Sequence, residues 1–137
     1  MPLVRIDLSE TRPPAERHAI ADGVHQALVD AIGIPPGDRF QIVTKHAPGE
    51  LIFDGSYLGI ERQDVVYVQI TLVEGRSRQL KLDLYQRIAA NLERAGVRRE
   101  DTVIVLTENN LENWSVGNGE AQLVALAESR TAAAGPA

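Results

Sequence analysis

The chain repeats itself. A strand, a helix with an i, i+4 apolar stripe, and a second strand occupy about residues 2–46, and the same series returns at about 65–106. The joints after the helices match closely. Gly33-Ile34 leads to Asp38 and a strand, and Gly96-Val97 leads to Asp101 and a strand, so glycine and aspartate both recur at an offset of 63. Internal self-similarity of this kind restricts the fold more than composition does. The same offset puts Val65 where Pro2 stands. Two such units predict an α+β domain: two βαβ repeats forming a four-stranded mixed sheet with two helices on one face. Strand order is not specified, and a split βαβ of ferredoxin type uses the same element order.

Residues 2–8 alternate, with Val4, Ile6 and Leu8 on one side and Leu3, Arg5 and Asp7 on the other, which predicts a strand with one apolar face. Pro13 and Pro14 suit a helix start, where a missing N–H costs little. Ile20, Val24, Leu28 and Ile32 mark its buried stripe. Gly33 is placed to end it, and Pro35-Pro36 forbid continuation. Alternation over Phe40–Lys45 predicts the second strand. Residues 46–64 carry turn chemistry around the apolar piece Leu51-Ile52-Phe53. Val65–Val73 is so nearly continuous in apolar residues that it predicts a central strand covered on both faces. Glu74-Gly75-Arg76 forms a turn and Ser77 an N-cap. Leu80, Leu84, Ile88 and Leu92 give the second helix its stripe, and Gly96 closes it. Thr102–Leu106 is the fourth strand. Residues 107–121 are polar, glycine-spaced and contain the only tryptophan. The expected organisation is one domain over 1–121, then a short helix and a tail over 122–137, frayed from 131 onward.

Composition removes several classes of function. The 137 residues, 44% hydrophobic and 24% charged, suffice for one ordinary core. A net charge of −5 argues against nucleic acid as a partner. With no cysteine there is no disulfide framework, thiolate metal site or cysteine nucleophile. No signal peptide is visible and the apolar runs are too short to span a membrane, so a cytoplasmic protein is the expectation. His18, His25 and His46 are scattered and read as unpaired, without metal-ligand spacing, so no metal and no cofactor is expected.

The start of the chain supports two readings. Proline is tolerated at the first residue of a strand, and Met1-Pro2 can be no more than that. If Met1 is removed, Pro2 carries a free secondary amine. An α-amino group titrates near neutrality, within reach of acid/base work, and an amine can also add to a carbonyl.

In order along the chain, the motifs are Pro2, Gly33-x-Pro35-x-x-Asp38-Arg39-Phe40 and His46-x-Pro48-Gly49-Glu50. Then come Gly75-Arg76-Ser77 with Lys81 and Tyr85, Glu108-Asn109, and Asn113-Trp114-Ser115-x-Gly117-x-Gly119-x-Ala121. Together they resemble the tautomerase superfamily, within it the malonate semialdehyde decarboxylase-like group, over about residues 2–121. The resemblance implies a catalytic Pro2 exposed by loss of Met1, and a homotrimer whose sheets pack around a central axis. It implies Arg76 as a clamp for a substrate carboxylate, and Asp38 as an auxiliary that tunes the proline or places a water. Asp101, its counterpart in the second repeat, reads as a turn residue. The pattern carries two arginines flanking one residue before the second helix; here the first position is Glu74. Facing the pocket, Glu74 would repel an anionic substrate; facing outward, it would mean little. Trp114 and Phe53 are further candidates for the pocket wall, on this chain or a neighbouring one, and Tyr85 reads as packing. The implied function is a cofactor-independent isomerase or lyase acting on small 2-oxo or 3-oxo carboxylates by decarboxylation, tautomerisation or hydration. Two alternatives stand beside it: a non-catalytic ferredoxin-like module for ligand sensing or assembly, and a member of the fold whose chemistry Glu74 has abolished.

Overall fold

The computed structural model describes residues 1–135. In chain order the elements are β1 (Pro2–Ser9), α1 (Pro14–Ile32), β2 (Gln41–His46), β3 (Val66–Val73), α2 (Arg78–Arg94), β4 (Thr102–Asn109) and α3 (Gln122–Ala134). The sheet runs β2-β1-β3-β4. Strands within each βαβ unit are parallel neighbours, and the units join antiparallel through β1 and β3. Each unit therefore keeps its own two strands side by side, and the arrangement is not a split βαβ.

The repeat is visible in the pairing. A shift of 63 carries Arg5 to Val68 and Ile6 to Gln69, and these four residues form the adjacent pairs Arg5↔Gln69 and Ile6↔Val68 at the centre of the β1–β3 seam. The sheet thus has an approximate two-fold through that point. The outer strands break it by one residue: Val4 pairs with Gln41, 37 positions on, whereas Tyr67 pairs with Val103, 36 positions on.

Both α1 and α2 lie on one face. Val4, Ile6 and Leu8 of β1 and Val66, Val68, Ile70 and Leu72 of β3 are buried in one cluster with Ile20, Val24 and Leu28 of α1 and Leu84, Ile88 and Leu92 of α2. Each large aliphatic side chain fully withdrawn from water there contributes about 1.5–3 kcal/mol. The helices cross at Gly23. A Cβ at that position would sit 3.1 Å from the Asn91 Cβ, and the Asn91 amide donates to the Gly23 carbonyl at 2.9 Å. Arg12, which is buried, joins the units: its guanidinium donates to Glu16 at 2.6 Å and to the Asp64 carbonyl, just before β3, at 2.7 Å.

Four expectations need correction. The strand β3 is central, paired on both edges, but within one chain only one face is covered: Tyr67, Gln69 and Thr71 alternate onto the open face. Leu80 does not join the core stripe. It lies in the first turn of α2 and is 39% exposed, with its amide capped by Ser77 Oγ at 3.2 Å. The fourth strand runs on to Asn109, because Thr107, Glu108 and Asn109 keep pairing with Thr71, Leu72 and Val73; an edge strand tolerates polar residues. Finally, α3 extends through Ala134, so residues 131–134 are helical rather than frayed. Residues 136 and 137 of the expected tail lie outside the described residues.

Candidate active site

The topology gathers the candidates at one end of the sheet. There β1 and β2 begin while β3 and β4 end, since Pro2 pairs with Leu72 and Leu72 with Glu108. Pro2 is buried and shares the helix-facing parity of Val4 and Ile6. Asp38 reaches this end through the joint after α1. Gly33 takes the left-handed conformation (φ 77°) that caps the helix, and the Asp38 amide closes a turn on the Pro35 carbonyl at 2.9 Å. The turn delivers the carboxylate to the chain terminus: Asp38 Oδ2 lies 3.4 Å from the terminal ammonium of Met1. The other oxygen, Oδ1, is buried and has no hydrogen-bond partner among the described residues.

The second repeat shows what this position does elsewhere. Asp101 is 1% exposed, accepts from the backbone N–H of Gln63 at 2.7 Å, and lies 3.6 Å from the Arg98 guanidinium. One carboxylate fastens the chain as it enters β3. Its counterpart meets the chain where it begins, and keeps an unused oxygen.

Arg76 stands at the same end, after Gly75, whose φ of 120° few other residues adopt. It is partly buried and donates through Nη1 to the Val73 carbonyl at 2.7 Å, which leaves other guanidinium donors for a carboxylate. Glu74 is exposed, and its amide donates to the Asn109 carbonyl at 2.7 Å. Glu74 is among the residues lining a cavity of about 480 Å³, with Leu111, Glu112, Val124 and Glu128. A separate cavity of about 210 Å³ adjoins the terminus, lined by Met1, Leu3, Phe40, Trp114, Ser115 and Val116. Trp114 is thus brought to the N-terminal end, with its indole N–H donating to Asn109 Oδ1 at 2.5 Å, whereas Glu74 belongs to the lining of the other cavity.

Phe53 is not brought there within one chain. It lines a cavity at the opposite end with Asp54, Tyr57, Arg62, Tyr67 and Val103, and the Tyr67 hydroxyl fastens that loop by donating to the Ile52 carbonyl at 2.6 Å. In the same loop the Ser56 amide, followed by that of Tyr57, holds the Asp54 carboxyl below its ordinary range. Tyr85 is half-buried on α2.

Two features escaped the sequence reading. His46, read as unpaired, lies 2.6 Å from Asp7 on β1 and 3.8 Å from Glu50. Only the parallel register of β1 and β2 puts His46 and Asp7 together, and single-strand periodicity carries no register. Asn109 stood in a recognisable motif, but nothing in its spacing pointed to the tryptophan five residues on.

These observations can be set beside known proteins. A family profile described as tautomerase enzyme matches residues 38–117, and a second with the same description matches residues 2–60. The chain is 36% identical over 126 residues to the probable tautomerase YusQ of Bacillus subtilis (strain 168), covering 90% of this chain and 99% of that one. Among solved structures, the FG41 malonate semialdehyde decarboxylase inhibited by 3-bromopropiolate is 40% identical, with a TM-score of 0.87 over 91% of this chain and 96% of the other. A second malonate semialdehyde decarboxylase, described with decarboxylase and hydratase activities, is 34% identical, with a TM-score of 0.85 over 91% of this chain and 98% of the other. The doubled βαβ sheet with a carboxylate waiting at its amino terminus is therefore that of an isomerase- or lyase-type enzyme, and the chain belongs to the tautomerase family.

Proposed function

We propose that the chain acts on small 2-oxo or 3-oxo carboxylates, with the amine of Pro2 as the reacting group once Met1 is removed. The observation that carries this reading is the terminal ammonium 3.4 Å from Asp38 beside a cavity walled by Phe40 and Trp114. Only three covalent bonds separate the Met1 and Pro2 nitrogens, so processing leaves the new amine within about 4 Å of the old one. Opposite charges that close, partly withdrawn from water, attract well above the bulk-water value.

In this reading Arg76 holds the substrate carboxylate and Asp38 handles a proton or a water at the amine. For a 3-oxo acid, the neutral amine adds to the carbonyl carbon and water departs, leaving an iminium. Electrons of the C–CO₂ bond flow into the iminium as CO₂ leaves; the enamine is protonated and water releases the product. As a general acid or base, the same amine would serve tautomerisation or hydration of an unsaturated acid. The decarboxylase and hydratase activities named for one relative support both routes.

We extend the proposal to a homotrimer with the open sheet face inward, supported by Ile42 and Val105, which are 40% and 49% exposed there in the single chain.

The test is covalent. Intact mass establishes whether the purified chain has lost Met1. The processed protein is then incubated with 3-bromopropiolate, the inhibitor of one relative, or with a 3-oxo acid and borohydride, and the adduct is mapped. Modification at Pro2 is the expected result. An active protein that retains Met1, or turnover with no adduct at Pro2 under either reagent, would rule out the covalent role.

A further inference from the structure

We propose that Asn109 is a positioning residue for this site: its side-chain oxygen fixes the Trp114 indole as a wall of the N-terminal cavity. The inference rests on the functional reading above, and it adds a residue to which that reading gave no part.

The indole N–H can only donate, so the group facing it must be an acceptor, and the Asn109 carboxamide presents Oδ1 at 2.5 Å. Asn109 itself is held rigidly. It ends β4 in register with Val73, and its carbonyl accepts from the Glu74 amide at 2.7 Å. The chain then reverses over a few residues. Asn110 Oδ1 accepts from the Glu112 amide at 3.1 Å, and the Asn113 amide donates to the Asn110 carbonyl at 3.1 Å. This turn brings Trp114 back over Asn109.

The other end of the wall is tied as well. The Val116 amide donates to Gln122 Oε1 at 3.0 Å, and Gln122 Nε2 donates to the Gly117 carbonyl at 2.6 Å. Trp114, Ser115 and Val116 therefore form an irregular wall on the cavity, pinned to the sheet by Asn109 at one end and to α3 by Gln122 at the other. Because the Asn109 carbonyl also receives the Glu74 amide, the indole and the turn carrying Arg76 hang from one residue. The wall and the carboxylate clamp are thereby held in a common frame.

Trp114 is the only tryptophan, so selectively excited emission reports this wall alone. The experiment compares Asn109→Ala, Asn109→Asp and Trp114→Phe in the processed enzyme, together with the double variants that combine each change at 109 with Trp114→Phe. The readouts are tryptophan emission, acrylamide quenching, and the concentration dependence of inactivation by 3-bromopropiolate. Asn109→Ala is expected to shift emission to longer wavelength, to increase quenching, and to raise the half-saturating concentration about tenfold, with the limiting rate nearly unchanged. Asn109→Asp keeps an acceptor and restores all three. In the Trp114→Phe background, which lacks the N–H, Asn109→Ala has no further effect on inactivation. Unchanged emission and quenching in Asn109→Ala would overturn the inference. An equal loss in the Asn109→Asp variant, or an undiminished loss in the Trp114→Phe background, would do the same. If the unmutated enzyme is not labelled at all, the functional reading fails, and the emission comparison still decides whether Asn109 holds the indole.

Discussion

Asp38 and Asp101 occupy the same place in the two repeats and meet different partners, so the same substitution has different consequences. Asp101→Ala removes the acceptor for the Gln63 N–H and the nearby charge for Arg98. It is expected to cost about 2 kcal/mol and to lower the melting temperature by roughly 5–10 °C. Asp38→Asn, at a carboxylate with one oxygen unpartnered among the described residues, leaves the melting temperature nearly unchanged while slowing modification of Pro2 by at least about tenfold. Calorimetry and labelling kinetics separate the two, and a large stability loss for Asp38→Asn would contradict the contrast. Arg76→Ala is expected to raise KM for carboxylate substrates roughly ten- to a hundredfold and to leave neutral ketones little affected; equal losses would show that Arg76 is not the clamp. Pro2, Asp38, Arg76 and Trp114, which the structure places at one end of the sheet, could be proposed together from the sequence because motifs in order survive without coordinates. The direction of Glu74 could not, because alternation stops at the end of a strand and a turn sets its own phase.

At the level of elements, the two helices touch where a glycine permits it. Gly23→Val would place a branched side chain against Asn91, whose Cβ already lies 3.1 Å from an added Cβ. Overpacking of this kind costs about 1–3 kcal/mol, and valine brings little helix propensity to offset it. Denaturant unfolding should show that loss, and a variant as stable as the parent would mean that the crossing has slack. The loop after β2 carries a pH prediction. The Asp54 carboxyl is held below its ordinary value, so the contribution of its ionised form is present above the unfolded-state value near 3.8 and is lost only as pH falls through the lower folded value. The Ser56 amide resonance should titrate with a midpoint below 3.8; a midpoint at or above it would mean that the turn does not hold the carboxylate. Helices and strands were readable from periods of about 3.6 and 2. The Asp7–His46 contact and the crossing at Gly23 were not, because both depend on register between separate elements.

For the molecule as a whole, the sheet face opposite the helices is the unfinished side. It carries Ile42 and Val105, substantially exposed in one chain. Sedimentation should give three times the subunit mass, and Ile42→Glu should shift the population towards smaller species; a monomeric parent would overturn the trimer. The repeat itself was legible because a duplicated joint leaves the same residues at the same spacing. Strand order was not, since many orders satisfy one alternating pattern.

The two aspartates also bear on how the backbone is connected. The approximate two-fold makes the entrances to β1 and β3 equivalent in shape, and they differ in whether the chain passes through or begins. A circular permutant opened between Arg62 and Gln63 would turn the Gln63 nitrogen, whose peptide N–H now donates to Asp101, into a fresh amino terminus. If the Pro2 amine reacts as proposed, reactivity in this scaffold would be assigned by the position of the cut as much as by the side chains around it.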